Sequence, residues 1–108
     1  MSSWADFEKI DLRVGKIVDV QEFPEARKPA FKITVDFGAL GLKKSSAQIT
    51  ELYKKEDLLG RQVICVFNFL PKKIGPFVSE VLIMGVYSGK GVVLLKPDFE
   101  VKEGEKIG

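Results

Sequence analysis

A chain of 108 residues has room for one modest hydrophobic core and is too short for two. With 45% hydrophobic and 30% charged residues it reads as a soluble globular domain. It has no histidine and a single cysteine, Cys65. That excludes Ser-His-Asp and Cys-His nucleophiles, imidazole acid–base catalysis, and zinc sites built on His or thiolate ligands. Neither GxxxxGK[ST] nor GxGxxG occurs, so the nucleotide-cradling glycine motifs are missing too. These exclusions predict a protein that is not an enzyme and uses no metal or cofactor.

No apolar run approaches the roughly 20 residues needed to cross a bilayer, so membrane insertion is not expected. The opening Met1-Ser2-Ser3-Trp4-Ala5-Asp6 lacks the basic and apolar regions of a signal peptide. A lone thiol among Ile64 and Val66 suits a reducing compartment, and together these features predict a cytoplasmic protein.

In chain order, Ser3 can cap a short helix with Asp6 three residues on. Trp4, Phe7 and Ile10 recur at helical spacing and give that helix one apolar face. Such a face either packs on its own domain or anchors a second subunit. Leu12–Val20 reads as a strand whose alternation slips after Gly15, the mark of a bulge or a barrel bend. Phe23–Pro29 is a loop with two prolines and the pair Arg27-Lys28. Phe31, Ile33, Val35 and Phe37 alternate with polar residues as a one-sided strand.

Gly38–Gly41 is a turn, and Leu42–Ile49 should be a third strand. A helix of about two turns is expected from Thr50 to Leu59, closed by Gly60 as a C-terminal cap. Val63–Leu70 and Val78–Val86 then read as two strands joined by the loop Pro71-Lys72-Lys73-Ile74-Gly75-Pro76. Ser88–Gly91 is a turn, Val92–Leu95 a short strand, and Lys96–Gly108 an irregular tail with a final extended piece.

Five short strands, one helix after the third and a glycine bend in the first predict an all-β fold with short helices. The order β-β-β-α-β-β is that of the OB-fold, a five-stranded Greek-key barrel that commonly binds oligonucleotides. An SH3-like barrel or sandwich is the alternative, and the helix argues against it.

The net charge of +2 conceals a strong asymmetry. Residues 26–97 carry twelve basic and five acidic side chains, whereas residues 1–25 and 98–108 are both net acidic. If the pairs Arg27-Lys28, Lys43-Lys44 and Lys72-Lys73 converge on one rim, they form a footprint for phosphate. Any single lysine pair is as readily a solvated surface, and Lys54-Lys55, beside Glu56 and Asp57, reads that way.

The run Asp11-Leu12-Arg13-Val14-Gly15-Lys16-Ile17, the hairpin Asn68-Phe69-Leu70-Pro71-Lys72-Lys73 and the strand Ser79-Glu80-Val81-Leu82 together resemble the tRNA-binding domain family. That family includes free-standing homodimers and C-terminal extensions of methionyl- and tyrosyl-tRNA synthetases. The Lys44–Thr50 segment and the closing Val101–Gly108 are most similar to a free-standing bacterial branch described as a secretion-related chaperone.

The resemblance implies an OB-fold homodimer whose terminal extensions meet. On that reading Trp4, Phe7, Ile10, Phe99, Val101 and Ile107 form the subunit contact. Two activities are implied, tRNA recognition by shape and binding of unfolded or presequence-bearing polypeptides. Arg13, Lys16, Lys28, Asn68, Lys72, Lys73 and Ser79 are the expected RNA-binding residues. Phe69, Ile74, Phe77, Val81 and Met84 are the expected peptide-binding residues. Val81 stands where many tRNA binders have glycine, and Pro24–Pro29 departs from the common loop by a second proline and Arg27. Val81 is expected to add apolar surface, which places polypeptide binding first and tRNA binding second.

Overall fold

The computed structural model describes all residues from Met1 to Gly108. After a one-turn helix α1 (Trp4–Glu8) come β1 (Leu12–Glu22), β2 (Phe31–Asp36), β3 (Leu42–Ala47), helix α2 (Lys55–Leu58) and β4 (Gln62–Val66). Two small strands β5 (Lys72–Ile74) and β6 (Phe77–Ser79) follow, then β7 (Leu82–Ile83), β8 (Gly85–Ser88) and β9 (Gly91–Leu94).

The architecture turns on the length of β1. Its first half pairs with β4, from Leu12↔Val66 to Lys16↔Gln62, and its second half with β2, from Lys16↔Asp36 to Glu22↔Phe31. Strand order is β3-β2-β1-β4-β7, and the sheet coils into a nearly closed, OB-fold-like barrel. The register slips between Ile17 and Asp19, three residues after the expected bend at Gly15. Gly15 has a different job: a Cβ there would collide with Val35 and Phe37, so glycine lets β2 pack close.

Phe31, Ile33, Val35 and Phe37 point inward as their alternation requires, joined by Ile17, Val63, Cys65 and Ile83. The remaining gap lies between β3 and the turn after β6, and it is closed largely by side chains. Ser46 N–H donates to Ser79 Oγ at 3.0 Å and Lys44 N–H to Glu80 Oε1 at 3.0 Å. Glu80 N–H donates back to the Lys44 carbonyl at 2.7 Å.

Four expected elements differ. The helix over Thr50–Leu59 is a single turn, because the Tyr53 hydroxyl accepts from Leu94 N–H at 3.0 Å and holds the preceding residues as a turn. Gly60 does end it, at φ +82. The strand over Val63–Leu70 stops at Val66, where the chain peels away to dock on the junction of α1 and β1. There Phe67 N–H donates to the Asp11 carbonyl at 2.7 Å. Finally, Lys72 and Lys73 do not cap a long hairpin. They lie on β5 of a separate ribbon, whose tip is Gly75-Pro76 with Gly75 at φ +58. The expected strand over Val78–Val86 is consequently broken into β6, β7 and β8.

Both faces of the β1–β4–β7 layer are apolar. Register places Leu12, Val14, Ile64, Val66 and Leu82 on the outer face, opposite the Cys65 and Ile83 side. Val14 and Val66 are buried yet stand outside the core cluster. The tail runs along this edge: Val14 N–H donates to Glu105 O and Ile107 N–H to Leu12 O. No helix is long and apolar enough to cross a membrane.

Candidate nucleic-acid and polypeptide interface

The β1–β2 loop and the β5–β6 ribbon meet at one end of the barrel and enclose a cleft of about 330 Å³. Arg27, Lys28, Lys72 and Lys73 line it beside Ser46, Gln48 and Ile74, and no carboxylate does. The two ion pairs of the molecule lie elsewhere, at Arg13–Asp11 and Lys55–Glu22. Four exposed cations without an ion-pair partner in one concavity raise the local positive potential, which attracts anions. Of the three pairs whose convergence would make a phosphate footprint, Arg27-Lys28 and Lys72-Lys73 line one cleft and Lys43-Lys44 does not.

The convergence is fixed by packing. Phe23, at the base of the loop, is buried, and Phe77 of β6 packs edge-on against it with ring centroids 5.3 Å apart. Lys32 Nζ lies 5.5 Å from the centroid of the same Phe23 ring. Ser79 ties the far end of the ribbon to β3 through Ser46.

Of the seven expected RNA-binding residues, Lys28, Lys72 and Lys73 enter this cleft and four do not. Arg13 is engaged internally: Nε donates to Asp11 Oδ1 at 2.7 Å and Nη1 to the Gly104 carbonyl at 3.1 Å. Asn68 is a latch, its Oδ1 accepting from Asp11 N–H and its Nδ2 donating to the Lys9 carbonyl, both at 2.9 Å. Lys16 borders a different cleft with Arg61, Lys96 and Asp98. The Ser79 hydroxyl is spent on the barrel seam. Side chains of these types look alike in sequence whether they serve the fold or a ligand, and only their partners separate the two.

Arg27, Ser46 and Gln48 are cleft residues missing from that set. Arg27 is signalled by its pairing with Lys28. Ser46 and Gln48 carry no signal, since a strand end meeting a ribbon about 25 residues further on is not legible locally. Lys43 and Lys44 do not line the cleft: Lys43 Nζ lies over the Phe67 ring, and Lys44, exposed, borders a separate small hollow with Asp19 and Lys32 while its main chain joins the seam.

Of the five expected peptide-binding residues, Ile74 and Phe77 are cross-strand partners on the β5–β6 ribbon, but the set does not form one exposed apolar surface. Val81 is 3% exposed and belongs to the core, so it neither narrows a nucleic-acid surface nor adds apolar area. That corrects the ground on which it ranked polypeptide binding first. Phe77 is committed to Phe23, Ile74 borders the cationic cleft, Phe69 follows the latch residue Asn68, and Met84 is hydrogen-bonded through its N–H to Ile64 O on β4. Burial of Cys65 pushes its thiol up to about 12, so it is no nucleophile.

At the termini, α1 buries none of its residues. Trp4 and Phe7 stack at 5.4 Å, with Trp4 66% and Phe99 80% exposed. Ile10 and Val101 are exposed as well, and Ile107 is half-buried against β1.

Residues 12–106 match the family model described as "Putative tRNA binding domain". Among curated proteins, the methionine–tRNA ligases of Thermococcus onnurineus and Pyrococcus furiosus are 43% and 42% identical over 94% and 97% of this chain. The chain spans only 14% of the length of each. Among solved structures, chaperone CsaA from Bacillus anthracis superposes with a TM-score of 0.93 at 49% identity, covering 100% of this chain and 99% of that one. The CsaA chaperone protein from Picrophilus torridus superposes at 0.95 with 50% identity and full coverage of both. The chain therefore belongs to the tRNA-binding domain family.

Proposed function

We propose that this protein is a CsaA-like chaperone that holds unfolded or presequence-bearing polypeptides during protein secretion, acting in the cytoplasm as a homodimer. The observation that carries this reading is similarity over the whole chain, at 49% and 50% identity, to the two CsaA chaperone structures. The synthetase relatives, by contrast, match over a small share of their length. Dimerisation is supported by the two-sided apolar layer of β1, β4 and β7 and by the exposed aromatics of both terminal segments. No catalytic role is proposed.

A second reading, tRNA binding, is favoured by a separate observation. The cleft of Arg27, Lys28, Lys72 and Lys73 contains no acidic group, and phosphate contact there needs no rearrangement of the barrel. The test is a side-by-side titration of tRNA and an unfolded polypeptide against the purified protein. Polypeptide binding that persists at salt concentrations where tRNA dissociates supports the chaperone reading; tRNA binding alone overturns it.

A further inference from the structure

The cleft between the Phe23–Pro29 loop and the β5–β6 ribbon holds two uncharged polar side chains among its four cations, Ser46 and Gln48. Ser45, Ala47 and Ile49 are buried, so the alternation of β3 turns Ser46 and, just beyond the strand's end, Gln48 to the outward face. Their mounting is firm. The neighbours on either side of each are buried, and Ser46 N–H is held by Ser79 Oγ at 3.0 Å.

The hydrogen bonds at Ser46 are made by its main chain, and the Gln48 amide has none within the protein. Ser46 is half-buried and Gln48 exposed. Both therefore face the cleft with their side-chain donors and acceptors unspent.

The cations and these two residues act differently on a nucleic acid. Lys and Arg attract phosphate whatever the sugar, so Arg27, Lys28, Lys72 and Lys73 draw DNA and RNA backbones alike. They also only donate hydrogen bonds. A ribose 2′-hydroxyl both donates and accepts, and contact with it is what tells RNA from DNA. Within the cleft, the side-chain atoms able to accept that hydroxyl proton are Ser46 Oγ and Gln48 Oε1. Two strand positions set the pair about 6.6 Å apart, a spacing comparable to one nucleotide step of an RNA backbone.

We propose that Ser46 and Gln48 read the 2′-hydroxyls of successive riboses and make this cleft selective for RNA over DNA. The inference rests on the tRNA-binding reading above and adds the residues that set its sugar selectivity. Labour is divided: the cations supply salt-sensitive affinity, and the neutral pair supplies discrimination.

The test uses the full chain with two probes, a tRNA transcript and the same sequence with fluorine in place of every 2′-hydroxyl. The fluorine keeps the RNA helix geometry and cannot donate. A net hydrogen bond changes affinity by about two- to tenfold, so the wild type is expected to prefer the hydroxyl form about tenfold. Gln48→Met keeps the side-chain length, removes the amide and should lower that preference to about threefold. Adding Ser46→Ala should bring it close to one. Neither change should move the affinity for the fluoro form by more than about twofold, nor the salt slope. Lys72→Ala with Lys73→Ala should weaken both probes together and keep their ratio.

A wild-type preference below about twofold overturns the proposal, as does a preference that survives in the folded double variant. Should the double variant fail to fold, Gln48→Met decides alone, since Gln48 is exposed. A wild-type protein that binds neither probe overturns the tRNA-binding reading itself, a result distinct from binding that ignores the sugar.

Discussion

The ring of Phe77 on β6 stands edge-on to Phe23 at the base of the β1–β2 loop, with 5.3 Å between centroids and 62° between planes. This pairing joins two segments, distant in sequence, that each carry a pair of cations. Aromatic pairs in this geometry contribute about 0.5–1.5 kcal/mol beyond their buried area. Full truncation of a buried Phe costs about 3–5 kcal/mol, and Phe77 is half-buried, so Phe77→Ala is expected to destabilise by about 2 kcal/mol. It should also weaken tRNA binding, because the ribbon loses its brace. Urea unfolding and a tRNA titration on the same variant check both effects; unchanged tRNA affinity would show that the cleft does not need the brace.

The cleft lysines act on the salt dependence of binding. Lys72→Ala with Lys73→Ala is expected to reduce the slope of log affinity against log salt by about 0.7–0.9 for each phosphate that is no longer neutralised. Gel-shift titrations at two salt concentrations measure it. An unaltered slope removes these lysines from the RNA surface.

Asn68 should behave differently although it lies in the same sequence motif. Both ends of its amide hold the backbone at Lys9 and Asp11. Asn68→Ala is expected to cost about 1 kcal/mol of stability, the scale of an ordinary intramolecular hydrogen bond, with no change in the salt slope of tRNA binding. A lower slope would restore Asn68 to the RNA surface.

The apolar outer face predicts association. Light scattering is expected to give twice the 12.1 kDa mass of the chain. Leu82→Glu together with Met84→Glu puts two charges against that face and should yield monomers, because an unpaired charge is costly to bury in an interface. A wild-type mass of one chain refutes the homodimer.

Cys65 supplies a pH dependence. Burial pushes its thiol from an ordinary value of 9.0 up to about 12. The folded protein thus keeps a proton that the unfolded chain releases above pH 9. Its contribution is complete below pH 9 and is lost as pH rises towards 12, at up to about 1.4 kcal/mol per pH unit. Urea melts at pH 8 and pH 10 measure this loss. In parallel, iodoacetamide at pH 8 should alkylate Cys65 slowly in the folded state and quickly in denaturant.

The barrel's inner face, the basic segments and the family are all legible from local residue patterns. Period-two alternation over Phe31–Phe37 is such a pattern, and every one of its apolar residues is buried. The pairs Arg27-Lys28 and Lys72-Lys73 are visible for the same reason. Strand ends are not local, since Val66 ends β4 only because Phe67 and Asn68 bond to Asp11 from a distant part of the chain. Function divides in the same way. Val81 in the sequence is one more apolar residue on a strand that borders a basic loop, and only the break between β6 and β7 turns it into the core. Arg13, Asn68 and Ser79 are polar residues with partners 33 to 91 positions away, and those partners engage them in the fold. Which cations remain free for a ligand depends on which have no partner, and that is settled only when the whole chain has closed on itself.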